Sequence, residues 1–275
     1  MSLKADWLQH LHAFRRRELQ VVLGQCPEHH FPYGLELGGG DGYQSSILSR
    51  YVQRLVCTDY DKHRLQRQAP PPASYVICDA ESVGNLFREN TFDFVFSSNL
   101  LEHLPNPETA LAGIHRVLRQ DGITIHVLPS VFWKLCQILL FNPNRLVMHI
   151  ERLFAGRQTP APISRLGNNP KVHRTARRRW LLPPPHGVSN GTIRELFAFR
   201  RSRWKRLLER SRFTVVQIMR GPVASGYGFG LDRIRTLLEQ FGLASEYVFI
   251  AVKAGAVSPH LRYFSVARHL EAEEA

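Results

Sequence analysis

Short apolar runs alternate with helical periodicities through the first half of the chain. Tyr33–Leu37, Leu55–Thr58, Tyr75–Cys78, Phe92–Phe96 and Ile123–Leu128 are each brief and rich in Val, Ile, Leu or Phe, which reads as five strands. Between them, Gln44–Arg50, Lys62–Gln68, Val83–Phe87 and Glu108–Leu118 read as helices, the last opening soon after Pro107, a favoured first helical residue. Upstream, Trp7, Leu8, Leu11, Phe14, Leu19 and Val22 recur at roughly helical spacing and predict a helix over Leu3–Leu23. Strand–helix alternation implies a parallel sheet with helices on its faces. Farther on, Thr214–Met219 and Tyr247–Val252, with a helical Leu231–Phe241 between them, suit closing strands of the same sheet and bring the expected total to seven.

Composition narrows the class. The 275 residues are 44% hydrophobic and 21% charged, an ordinary globular balance. The four cysteines, Cys26, Cys57, Cys78 and Cys136, stand at wide spacings that match neither a metal motif nor a disulfide framework, so a reducing cytoplasm is the expected setting. The N-terminus reaches Arg15-Arg16-Arg17 without an apolar leader stretch. The longest apolar stretch, Val131–Ile150, is interrupted by Lys134, Asn142-Pro143-Asn144 and Arg145, which are expected to break a membrane-spanning helix.

Charge is unevenly placed. The formal net charge is +13, yet residues 129–212 hold 18 Lys and Arg against Glu151, Glu195 and Glu209, a net of +15, leaving the rest near neutral. That division suggests an N-terminal helical cap (1–30), a sheet core (31–128), a basic, partly helical insertion or substrate lid (129–212), closing strands and helix (213–255) and a C-terminal tail (256–275).

The most specific signal is Glu36-Leu37-Gly38-Gly39-Gly40-Asp41-Gly42, set directly after a strand and before a helix. Glycines at alternate positions let the backbone turn sharply and approach a ligand closely, because no Cβ intervenes. The spacing is not that of a dinucleotide fingerprint: the sixth position is Tyr43 counted from Gly38 and Ser45 counted from Gly40.

From about Leu35 to Leu128 the chain resembles class I S-adenosylmethionine-dependent methyltransferases, in their small-molecule, methyltransferase-11-like branch. Their first motif, an acid followed by Gly-x-Gly-x-Gly, matches Glu36 with Gly38, Gly40 and Gly42. The resemblance implies that the loop borders the methionine part of the cofactor, S-adenosyl-L-methionine, and that Glu36 holds its ammonium group. Asp59, ending Leu55-Val56-Cys57-Thr58, matches the acid that accepts hydrogen bonds from the ribose hydroxyls; the alternative is a helix cap. Cys78-Asp79-Ala80 matches the third motif, with Asp79 and Ala80 at the adenine edge, the alternative again being a capped turn. Phe92-Asp93-Phe94-Val95 and Leu101-Glu102-His103-Leu104 resemble the segments that follow, and Ser98 and Asn99 join the expected cofactor contacts. The implied fold is a Rossmann-like α/β class I methyltransferase fold, a mostly parallel seven-stranded sheet with helices on both faces and the basic helical insertion.

The sulfonium already activates its methyl group, so the protein mainly has to align a nucleophile and exclude water. An oxygen nucleophile often needs deprotonation, for which His suits neutral pH. Loops at the C-terminal ends of parallel strands face the ligand crevice, which makes His103 the leading base candidate, with a merely structural role as the alternative. His186, on a stiff Pro184-Pro185-His186-Gly187 loop, is the second. The other histidines lack partners at metal-ligand spacing, and no metal is expected.

The clusters Arg174, Arg177–Arg179 beside Trp180 and Arg200–Arg206 around Trp204 admit three readings. They can meet an anionic membrane or a phosphate-bearing, lipid-linked acceptor, with Val131–Leu140 and Leu146–Phe154 as interfacial helices. They can track RNA. Or they form a solvated basic helix with Trp204, Leu207 and Leu208 on its buried side. The sequence therefore points to transfer of a methyl group to a small-molecule or lipid- or phosphate-linked acceptor, at oxygen, by a cytoplasmic protein, peripheral to the inner face of a membrane if the basic segment binds lipid. The alternatives are an RNA methyltransferase and an inactive, methyltransferase-like binding protein, the latter disfavoured by the intact acids Glu36, Asp59 and Asp79. Acceptor identity and oligomeric state are not legible.

Overall fold

The structure is a computed structural model that describes residues 7–65, 73–154 and 182–264, apart from residues 190, 225, 228 and 230. Seven strands form one sheet: β1 (Phe31–Leu37), β2 (Val52–Asp59), β3 (Ser74–Ile77), β4 (Phe92–Ser98), β5 (Leu118–Pro129), β6 (Phe213–Arg220) and β7 (Glu246–Lys253). They lie in the order β3-β2-β1-β4-β5-β7-β6. The first five are parallel, while β7 runs antiparallel to both β5 and β6. All seven expected strands are present, in a mostly parallel sheet.

Nine α-helices are described: α1 (Trp7–Leu23), α2 (Tyr43–Leu48), α3 (Lys62–Leu65), α4 (Val83–Leu86), α5 (Pro107–Val117), α6 (Val131–Phe154), α7 (Thr192–Ala198), α8 (Arg201–Arg210) and α9 (Asp232–Gln240). The apolar stripe that defines each amphipathic helix is the face it turns to the sheet. On α5 it is Ala110, Leu111, Ile114 and Val117, which join Leu35, Phe92, Val95, Phe199, Trp204 and Leu208 in a core on one side. On α1 it is Leu19, Val22 and Leu23, which join Phe31, Leu48, Val52, Phe94, Phe96, Ile123 and Ile125 on the other. Helices thus cover both faces, as the strand–helix alternation requires.

In one respect the chain departs from expectation. Pro143 lies inside α6, which continues through it to Phe154. A proline removes the backbone bond to the carbonyl four residues earlier, a loss of ~3 kcal/mol in a helix interior. Here that carbonyl belongs to Leu139, which is 73% exposed, so water can take the lost donor's place. Even so, no helix among the described residues is long and apolar enough to cross a membrane. The Arg174–Trp180 cluster lies outside the described residues. Around Trp204 the basic stretch forms α8, with Trp204 and Leu208 buried and its arginines turned outward.

Candidate functional site

Strand order decides where a ligand can sit. β1 and β4 are neighbours, but the chain leaves β1 toward β2 and leaves β4 toward β5, so the two connections diverge and open a crevice at the strands' C-terminal ends. The glycine loop leaves β1 there, and Ser98, Asn99 and the turn Leu101–His103 leave β4.

The loop is tight within and open without. Gly38, Gly40 and Gly42 have φ of +73°, +57° and +76°, the left-handed region that glycine adopts without strain. A Cβ on Gly38 would come within 3.1 Å of Leu100, whereas one on Gly40 would meet nothing nearer than the Arg64 guanidinium at 4.0 Å. Space for a ligand is therefore left on the Gly40 side. Glu36 ends β1 almost fully buried and accepts a hydrogen bond from the Ser45 hydroxyl. Burial pushes its carboxyl up to about 7, against the opposing hydrogen bonds from Ser45 and Cys57.

Asp59 ends β2 beside the loop. Its Oδ2 accepts from the Gly40 N–H at 2.9 Å and its Oδ1 from the Asp61 N–H at 2.9 Å. Each carboxylate oxygen has two acceptor positions, so both keep capacity for a hydroxyl donor. Asp79 caps the turn Ala80–Ser82 through a 3.0 Å bond from the Glu81 N–H to Oδ1, a cap that occupies one of its two oxygens. Three acids thus stand at the ends of three adjacent strands around an open glycine loop, and this donor-poor, acceptor-rich rim fits a ligand carrying an ammonium, ribose hydroxyls and an amino-substituted base.

α1 closes this side. His12 lies 3.1 Å from Asp41 and stacks on Tyr43, Arg16 donates to the Tyr43 hydroxyl, and the Gln44 amide donates to Glu18.

On the β4 side the sequence reading missed most of the chemistry. Arg15 of α1 donates to Ser98 Oγ at 2.8 Å and pairs with Glu18 at 2.5 Å and Glu246 at 3.5 Å. Burial works against the Arg15 charge, but these carboxylates outweigh it and hold its pKa above the ordinary range. Asn99, at φ +49°, donates to Glu246 Oε1 at 2.7 Å. Glu246 reaches this edge because β7 runs antiparallel and so begins where β5 ends. Ser98 and Asn99, expected at the cofactor, are thus hydrogen-bonded into this buried charge network.

Segment 182–189 lies against the Leu101–His103 turn. The Val188 N–H donates to the Glu102 carbonyl at 3.1 Å, and the Gly187 N–H donates to Glu195 Oε1 at 2.8 Å. Glu195 also pairs with Lys134 at 2.5 Å, both side chains fully buried. The structure thereby brings together the two candidate bases: the rings of His103 and His186 are 4.6 Å apart, with Trp133 4.6 Å from His186. Desolvation lowers the pKa of His103 and pushes that of His186 down to about 3, so both rings are neutral at physiological pH. Glu102 between them is 1% exposed, and burial pushes its carboxyl up to about 8.

Residues 35–126 match the family described as methyltransferase domain. Over that third of the chain the residues form a methyltransferase domain with the class I fold. The same methyltransferase-like fold, over most of the chain, is found in an S-adenosylmethionine-dependent methyltransferase from Thermotoga maritima, at TM-score 0.52, 16% identity and coverage of 90% of this chain and 93% of that one. A second, from Mesorhizobium loti, gives TM-score 0.51 at 14% identity, covering 86% and 97%. Among curated proteins, "Arginine-hydroxylase NDUFAF5, mitochondrial" is 37% identical in Danio rerio over 98 residues, which is 34% of this chain and 30% of that protein. The human protein of that name is 34% identical over 98 residues, 28% of its length. The chain therefore matches under a third of the length of these relatives. S-adenosylmethionine is the cofactor of this methyltransferase domain.

The Lys134–Glu195 pair ties α6 to α7, and Glu195 in turn holds segment 182–189 through the Gly187 N–H. Lys134→Ala leaves the Glu195 charge buried without its cation and is expected to cost about 3–5 kcal/mol in denaturant unfolding, whereas Lys134→Met combined with Glu195→Gln, which keeps an acceptor for the Gly187 N–H, restores most of that loss. Equal loss in the single and double variants would contradict the pairing.

Proposed function

We propose that this protein transfers the methyl group of S-adenosylmethionine to an oxygen of a small-molecule or lipid-linked acceptor. The observation that carries this reading is segment 182–189, hydrogen-bonded to the Leu101–His103 turn at the C-terminal end of the sheet with Trp133 against His186: aromatic and imidazole rings beside the glycine-loop crevice suit a small or thin acceptor.

The bound cofactor supplies an activated methyl carbon on a cationic sulfur. Glu36 would accept from the cofactor's ammonium group and Asp59 from the ribose hydroxyls, and Asp79 with the Ala80 N–H would meet the adenine edge. Ser98 and Asn99, held by Arg15 and Glu246, fix the β4 side of the cleft. His103, the more exposed of the two imidazoles at 39%, would take the acceptor's hydroxyl proton as the methyl group passes to its oxygen. His186, which burial pushes down to about 3, packs against His103 and holds its ring.

A lipid-linked acceptor is supported by α6, where Leu135, Leu139, Leu146 and Ile150 are exposed on one helical face beside the basic segment. Such a face suits peripheral contact with an anionic membrane. A second reading comes from the curated relatives, whose name assigns arginine hydroxylation to the whole proteins; it is favoured if the cofactor binds and no methyl group moves.

Because the free Glu36 carboxyl titrates near 7, a cationic ammonium must expel its proton at lower pH. Cofactor affinity measured calorimetrically is expected to rise by about tenfold from pH 5.5 to 7, and Glu36→Gln to flatten that slope. A steep slope retained in Glu36→Gln would remove the ammonium role.

The function is tested with radiolabelled methyl donor in a host extract split into organic-soluble, small aqueous, protein and nuclease-sensitive fractions. Label in the first two is expected, and its loss in His103→Ala. Label destroyed by nuclease would replace this reading with RNA methylation.

A further inference from the structure

On the acceptor side, the proposed methyl transfer leaves Glu102, which lies between the two histidines, without a role. Glu102, His103 and His186 each offer a ligand atom within 4.8 Å of the other two, and Glu102 Oε1 is 3.9 Å from Nε2 of His103 and 3.9 Å from Nε2 of His186. We propose that these three residues bind a divalent first-row transition-metal ion in a two-histidine, one-carboxylate site.

The first support is the state of Glu102. Neither carboxylate oxygen has a hydrogen-bond partner among the described residues, although the side chain is 1% exposed. A buried carboxylate without donors is costly and rare, and it calls for an explanation such as an ion.

The neighbouring buried carboxylates give the second support. Glu18 and Glu246 are held by Arg15, Gln44 and Asn99, and Glu195 by Lys134 and the Gly187 N–H. Glu102 is the one of these four that neither a hydrogen bond nor a Lys or Arg contact satisfies, and a divalent ion would fill that place.

The donor set is suited to the task. Imidazole with carboxylate favours zinc, iron and neighbouring ions, at about 2.0–2.2 Å for zinc, which sub-ångström movement of these side chains reaches. Backbone bonds already place the third ligand: the Gly187 and Val188 amides anchor the loop that carries His186 to Glu195 and Glu102. Three protein ligands leave positions open toward the cleft. On the methyl-transfer reading, an acceptor hydroxyl at such a position would lose its proton more readily, taking over the role of His103 in the metal-free protein. Metal binding itself does not rest on that reading. Sequence spacing gives no sign of such a site because the third ligand comes from a distant loop.

The test uses the full chain stripped with chelator and titrated with Co²⁺, followed by visible absorption, and with Zn²⁺, followed by thermal unfolding. One Co²⁺ per chain with a d–d spectrum, displaced by Zn²⁺, is expected, together with a higher unfolding temperature in Zn²⁺. His103→Ala, at a side chain 39% exposed and outside the hydrophobic core, and His186→Ala should each weaken binding by at least about 100-fold, as loss of a direct ligand requires. Glu102→Gln should do the same. His260→Ala, which breaks the separate His30–His260 pair at 2.8 Å, should leave binding unchanged. Absence of both the spectrum and the Zn²⁺ stabilisation would overturn the proposal. So would binding that survives His103→Ala and is lost in His260→Ala.

Discussion

The divergence of the chain at the β1–β4 junction is the constraint on which the rest of the molecule depends. Parallel neighbours whose connections leave in opposite directions cannot close the sheet's C-terminal edge over themselves, so that edge must be finished by side chains and by segments from elsewhere. On the β1 side it is finished by a glycine loop whose packed face touches Leu100 and whose free face is open, with acids at the ends of three strands. On the β4 side it is finished by charge: Arg15, Glu18 and Glu246 at Ser98 and Asn99, then Lys134 and Glu195 beneath segment 182–189.

These two solutions carry different costs. The glycine loop stores little strain, because glycine tolerates positive φ, and it satisfies its amides on Thr58 and Asp59. The charged side keeps ionisable groups out of water, which is tolerable only where each is paired, and Glu102 is the member left without a donor. Buried charge of this kind is weak evidence for stability, but it fixes geometry: α1, α6, α7 and β7 each contribute a charged partner, so their relative placement is specified by a few short contacts. α1, whose arginine run has no counterpart in the glycine-loop motif, thereby becomes a wall of the site through Arg15, His12 and Arg16.

What the sequence makes legible follows from range. Strand and helix alternation is local, so β1 to β5 and the closing pair β6 and β7 are readable from short apolar runs. The glycine loop and the acids Glu36, Asp59 and Asp79 are readable because each motif is contiguous and set at a strand end. Pro143 misleads because a proline's local penalty is met by exposure that only the folded helix reveals. The network on the β4 side stays hidden because its pairs join residues far apart: 83 positions separate Arg15 from Ser98, and 147 separate Asn99 from Glu246. His103 and His186 are each noticed on their loops, yet their proximity and the carboxylate between them are properties of the fold. Glu102 appears within Leu101-Glu102-His103-Leu104 without any sequence signal that it is buried.

The most direct measurement is a calorimetric titration of the full chain with S-adenosylmethionine, repeated with Asp59→Asn, which keeps the side chain's shape and removes its charge. One site per chain, weakened by at least about tenfold in Asp59→Asn as the loss of a charge-assisted hydrogen bond requires, is the predicted result. No saturable binding, or equal affinity in the two proteins, would contradict a cofactor seated between the glycine loop and the end of β2.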